Sequence, residues 1–343
     1  MSEVELWWVG ARPRRVHGPH EGNGRARRSR FPDFPRSPML RIQAAWRTFG
    51  VESCAMQRLR ALGRFGLFVF LYWLVGEGLN RLLPLIHFPD RAFTWNAILA
   101  NEFLDFALAA FVAAILALIF RERFSSYGLP LHADVGRLML KGALWGFVPS
   151  LLILIPLFAV GACSFHGLAV HGGQLIFYAI VWAAGMLGVG FAEEFLFRGY
   201  AQKTLAEAIS FWPAAIFLSA LFGFIHFFFK PQEDWIDPTS VALYGIFWCL
   251  TLRRTGSLWF AIGFHAASDY ADIIVFGEPN TGNQGQPVPG HLLDIRYHGP
   301  DWLTGGPRGT EASLLVFVVL GGLFYFFNRA YPAKKLDASA AER

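Results

Sequence analysis

Seventeen consecutive residues, Gln174 to Gly190, carry no charge, and the next eight then contain Glu193, Glu194 and Arg198. Each half of that pattern constrains the fold. An uncharged apolar run of this length has to satisfy its own backbone polar groups if it enters a bilayer, and an α-helix does so within one segment. A carboxylate or guanidinium at membrane depth costs about 2.5–3.5 kcal/mol on insertion scales, so such groups persist where they are paired or functional. The stretch Phe191–Tyr200 therefore reads as a site built into a membrane helix.

The rest of the chain has the same character. Of 343 residues, 54% are hydrophobic and only 16% charged, against about a quarter charged in soluble domains. Apolar segments occur at about 65–86, 97–120, 138–163, from 174 through the glutamate pair, and at 211–229, 239–252, 257–276 and 312–327. This predicts an all-α fold, a polytopic transmembrane helical bundle of about eight spans. Five regions follow. Residues 1–60 form an Arg/Pro-rich tail expected to be disordered, 61–173 the N-terminal membrane helices and 174–276 the core. Residues 277–311 form an extracytoplasmic loop, and 312–343 a last helix with its tail.

The net charge of +5 comes from clusters that read as topology signals, so no nucleic-acid partner is expected. Arg121, Arg123, Arg137, Lys141, Arg253, Arg254, Arg329, Lys334 and Lys335 fall on one side of the eight spans. By the positive-inside rule that side, with both termini, is cytoplasmic. The excess of Arg over Lys points to a GC-rich bacterial genome, and so to the bacterial plasma membrane. Cys54, Cys163 and Cys249 are far apart, which argues against a disulfide and against a paired-cysteine metal site.

Helical spacing separates the two acids. Glu194 and Arg198 stand at i and i+4, acid first, the favourable order for an ion pair; Glu193 is rotated by roughly 100°. Glu194–Arg198 is thus expected to brace the fold and Glu193 to be the reactive carboxylate. Two later apolar segments carry His226, one turn after Phe222, and His265, one turn before Asp269. A lone histidine in an apolar helix is most often a hydrogen-bonded core residue. Two of them with Glu193 and Asp269 in neighbouring helices suit amide hydrolysis. A carboxylate and a histidine can deprotonate water, and a second histidine with a polar neighbour can stabilise an oxyanion. His N and Glu O also bind zinc, so Glu193, His226 and His265 are the candidate ligands if a metal is required.

Glu193-Glu194-x-x-x-Arg198, Phe222-x-x-x-His226 and His265-x-x-x-Asp269, in that order, resemble the motifs of the CPBP family. These are the CAAX prenyl protease 2 (Rce1-type) and bacteriocin-processing, or Abi, intramembrane proteases. The connector Tyr127-Gly128-Leu129 also resembles what bacterial members carry before the core. The resemblance implies an intramembrane, metalloprotease-like endopeptidase. In it Glu193 and His226 activate water, and His265 and Asp269 hold the oxyanion. Many members carry Asn at the position of Asp269. The expected partners are the bilayer and a peptide or membrane-protein substrate. A proton-coupled transporter using the same Glu/His/Asp cluster as a relay is the alternative. The remaining ionisable groups have simpler readings. Glu77 is expected to pair with a neighbouring helix or line the cavity mouth, and Glu102 and Asp105 to lie near the outer interface.

Overall fold

The computed structural model describes residues 38–230 and 234–333, with side chains from residue 54. The helices are α1 (Pro38–Leu82), α2 (Trp95–Phe120), α3 (Val135–Ala159), α4 (Gly173–Phe195), α5 (Gln202–Ile209), α6 (Phe211–Phe229), α7 (Ile236–Thr255), α8 (Trp259–Asp269) and α9 (Leu315–Ala330). Strands β1 (Cys163–Leu168) and β2 (Leu293–Tyr297) pair antiparallel, with an irregularity between Phe165 and Leu168.

All eight expected apolar segments are helical, but among the described residues only five helices are long and apolar enough to cross a membrane: Cys54–Ile86, Trp95–Phe120, Val135–Ala159, Gly173–Ile209 and Phe211–Phe229. The other three differ for identifiable reasons. Helix α7 carries Asp237, Arg253 and Arg254 at its ends. Helix α8 has 11 residues and is wrapped almost wholly by protein, from Trp259 to Ala266. Helix α9 has 16 residues, about 24 Å at 1.5 Å per residue, short of a hydrocarbon core about 30 Å thick.

Four further expectations are corrected. Helix α1 begins at Pro38, inside the segment read as a disordered tail to residue 60; residues 1–37 lie outside the described residues. The third span ends at Ala159, and Cys163 already belongs to β1. The loop after Gly277 supplies β2, so the fold is helical with one small two-stranded sheet. Glu77 pairs with Arg81 of its own helix at 2.8 Å rather than with a neighbouring one.

Helix α8 is the axis of the bundle. Its backbone lies against α3 so closely that a Cβ at Gly146 would collide with the Phe264 carbonyl. Small residues permit this approach, which favours helix association in lipid. One apolar cluster joins α1, α2, α4 and α5 through Phe68, Leu116, Phe195 and Leu205. A second joins α3, α6, α7, α8 and α9 through Leu157, Phe222, Phe247, Phe264 and Phe327. Outward-facing Ile119, Leu144, Ile155, Ile180 and Val318 are exposed, as lipid-facing positions should be.

The Tyr127-Gly128-Leu129 connector pins the start of α8. Leu258 N–H donates to the Gly128 carbonyl at 2.7 Å, and Trp259 Nε1–H donates to that of Pro130 at 2.9 Å. Gly128, at φ 90°, lies where a Cβ would run into the Leu258 side chain. Tyr127 OH donates to Glu122 at 3.0 Å, and Glu122 also binds Arg64 at 2.6 Å and Lys203 at 2.7 Å. Burial acts to raise the Glu122 carboxyl, but Lys203 and Arg64 hold it below its usual range.

Candidate active site

The fourth apolar segment does not stop where its charges begin. Helix α4 passes through a π-helical turn, Leu196–Ala201, into α5, so the segment runs 37 residues from Gly173 to Ile209. Gly199 breaks the helical geometry there (φ −83°, ψ −112°), so α4 and α5 meet at a kink. Glu193 lies 16 residues before Ile209, and His226 lies 16 residues after Ser210 on the returning helix α6. Counted along the chain both stand equally far from the same turn, and both line one cavity.

The cavity has a volume of about 220 Å³ and is reached by Glu193, His226, His265 and Asp269 from three different helices. Glu194 and Arg198 lie behind its wall with fully buried side chains, whereas the Glu193 side chain keeps 28% of its exposure. Sequence spacing had separated the two acids in this sense.

His265 is the hub. Its Nδ1 meets Glu194 Oε1 at 3.0 Å. Its Nε2 faces Asp269 Oδ2 at 3.5 Å and Glu193 Oε2 at 3.6 Å, separations longer than ordinary hydrogen bonds. Trp248 stacks on the ring, with centroids 4.1 Å apart and planes 14° from parallel. Glu194 also accepts from Arg198 Nη1 at 3.3 Å. The guanidinium lies over Phe222 and Trp248, 4.6 and 5.1 Å from their centroids. The expected brace therefore has a second duty, since Glu194 sets the orientation of His265.

His226 is held differently. Its Nδ1 lies 2.9 Å from the Phe222 carbonyl. A carbonyl only accepts, so Nδ1 carries the proton and Nε2 of the neutral ring is left as the basic nitrogen. Phe222 packs edge-on against the ring, with centroids 4.5 Å apart.

Two of the three site helices change pitch just beyond their site residues: α4 at Leu196, after Glu193 and Glu194, and α8 at Tyr270, after Asp269, where a π-helical turn runs to Val275. Such turns are rare and are frequent at functional sites. Among the described residues, no group of three or more His, Cys, Asp or Glu is arranged to hold a metal ion. Glu193, His226 and His265 share the cavity without that convergence.

Three features escaped the sequence reading. Glu102, expected near the outer interface, lines the cavity. Its signal, an acid within an apolar helix, was the one that singled out Glu193. Trp248 carried no signal, being one aromatic among many. The loop after α8 folds back over the site, bringing Glu278, Arg308, Thr310 and Glu311 to its wall. Thr310 donates to the Glu278 carboxylate from N–H at 2.7 Å and from Oγ at 2.9 Å. Arg308 reaches Asp234 at 2.6 Å, beside the start of α7. Burial pushes the Glu278 carboxyl up to about 7.

Residues 175–271 match the family model described as type II CAAX prenyl endopeptidase Rce1-like. The core of this chain resembles a CPBP-family protease. The matched segment covers under a third of the chain and contains Glu193, Glu194, Arg198, His226, His265 and Asp269. No curated protein and no solved structure matches the chain. The family match together with the apolar helices makes this a multi-pass membrane protein with a CAAX-protease-like core.

Proposed function

We propose that the protein is an intramembrane endopeptidase that hydrolyses peptide bonds with water activated by Glu193 and His226. The observation that carries this reading is the convergence on one cavity of a partly exposed carboxylate, a histidine with a basic Nε2, and a second His–acid pair. Water held between the Glu193 carboxylate and His226 Nε2 gives its proton to Glu193 as its oxygen attacks the scissile carbonyl. Glu193 then passes that proton to the leaving amine.

Charge developing on the carbonyl oxygen is met by His265, whose Nε2 is aligned by Asp269. Doubly protonated, His265 keeps one N–H on Glu194 and offers the other to the oxyanion. A donor positioned in advance costs no reorganisation at the moment of reaction. Glu194 thus acts on His265 as the acid of a serine-protease triad acts on its histidine, fixing the ring rather than reacting. Burying Arg198 beside Glu194 keeps that carboxylate from standing as an unpaired buried charge.

The protein would act in the bacterial plasma membrane, with a peptide or membrane-protein segment as substrate. Reconstitution into liposomes with a peptide library, read by mass spectrometry, tests the reading against a proton-flux assay on the same vesicles. New peptide termini that depend on the protein are expected. Proton flux without cleavage would overturn the proposal in favour of a transporter.

A further inference from the structure

The proposed mechanism leaves one carboxylate of the cavity without a task. Glu102 lines the cavity from α2, beside the face of α4 that carries Met186, Val189 and Glu193. The charged groups that act on it most strongly are Glu193, Asp105, Arg91 and His265. Arg91, the one arginine among them, is taken in a two-point contact by Asp105 at 2.8 and 2.9 Å. Arg308, elsewhere on the wall, is held by Asp234 and Asp237. Among the described residues no hydrogen bond or ion pair engages the Glu102 carboxylate.

The walls around it are acidic overall. Glu102, Glu193, Asp269, Asp272, Glu278 and Glu311 line the cavity, against Lys230, Arg308 and the doubly protonated His265. An acidic side chain at this depth with no protein partner is costly to ionise, and a cation arriving with the substrate would offset that cost.

Resting on the endopeptidase reading, we propose that Glu102 determines specificity by pairing with a lysine or arginine side chain of the substrate, close to the scissile bond. The distance from the bond follows from the fold. A Cβ at Gly188 would lie 3.1 Å from Glu102 Cβ, so the two residues are level. Gly188 precedes Glu193 by five residues, a displacement of about 7.5 Å along α4 at 1.5 Å per residue. An extended peptide advances about 3.3 Å per residue. The cationic residue therefore falls about two residues from the cut, and on the same side of it in every substrate.

The test uses a peptide cut in the library experiment, remade with Lys, Gln or Glu at that position, and wild-type protein in nanodiscs. A hydrogen bond to a charged group is worth about 1.5–3 kcal/mol, so the Lys peptide should show a KM at least about tenfold below its Gln twin at similar kcat. Glu102→Gln should erase that difference without shifting the melting temperature, and Glu102→Lys should transfer the preference to the Glu peptide. Equal KM values for Lys and Gln peptides on wild type, or a preference that survives in Glu102→Gln, would overturn the proposal. If Glu102→Gln does not fold, Gly188→Ala, whose methyl crowds Glu102, should weaken the Lys preference; an unchanged preference would count against it.

If no peptide is cleaved, the endopeptidase reading fails by itself. Fluorescent Lys and Gln twins of a library peptide, titrated onto the intact protein, then decide this proposal separately. Tighter binding of the Lys twin, abolished by Glu102→Gln, supports it, and equal binding refutes it.

Discussion

Replacing Glu194 with Gln separates the two duties of that residue. The side chain is fully buried between Arg198 Nη1 at 3.3 Å and His265 Nδ1 at 3.0 Å. The amide keeps an oxygen that can accept from His265, but it leaves Arg198 as a fully buried guanidinium with no counter-charge. Breaking a buried ion pair from one side costs about 3–5 kcal/mol. A change of 1 kcal/mol moves the melting temperature of a large domain by about 2–4 °C, so Glu194→Gln should melt roughly 10 °C below wild type in detergent. Removing both charges, as in Glu194→Gln with Arg198→Met, should recover much of that loss, because neither partner is then left alone. Thermal unfolding followed by tryptophan fluorescence measures all four corners of the cycle. A single variant that melts within about 2 °C of wild type, or a double variant no better than the sum of the singles, would refute the buried-brace reasoning.

Three further outcomes follow. Asp269→Asn should keep substantial cleavage and Asp269→Ala lose most of it, since Asn still aligns His265 Nε2; equal loss in both would show that the negative charge itself is needed. Glu278 holds its proton up to about pH 7 when folded, against an ordinary value of 4.5. The folded state therefore binds the extra proton, and stability should fall as pH rises through that window. Glu278→Gln should flatten this decline in detergent melts, and parallel curves for the two proteins would contradict the assignment. Incubation with 1,10-phenanthroline should leave cleavage unchanged if no metal is used, whereas loss restored by added zinc would make Glu193, His226 and His265 metal ligands.

The chemistry was legible in the sequence for a physical reason. Charged and imidazole groups are so costly in apolar helices that Glu193, Glu194, Arg198, His226, His265 and Asp269 stand out against their neighbours. Depth was harder to read. Arg198-Gly199 looks like a helix end, a charge followed by a flexible residue, yet the helix bends through a π-helical turn and continues to Ile209. That continuation leaves Glu193 and His226 equally far along the chain from the same turn. Glu102 carried the same signal as Glu193 but was placed at the interface, because linear distance from a loop does not report the local depth of a cavity. The β1–β2 pairing joins short segments about 130 residues apart with no alternation strong enough to mark them. Glu194's contact with His265 depends on how α4 and α8 pack, which no spacing within one helix encodes.

The central claim is that Glu193 is the base that activates water. Cleavage of a library-derived peptide by Glu193→Gln, measured beside melting temperature and peptide affinity, addresses it directly. Gln keeps the shape and removes the base, and general-base catalysis typically contributes about 10²–10⁴-fold. The account predicts a loss of turnover of at least about a hundredfold in a protein that melts and binds peptide as wild type does. Turnover within a few-fold of wild type would contradict it.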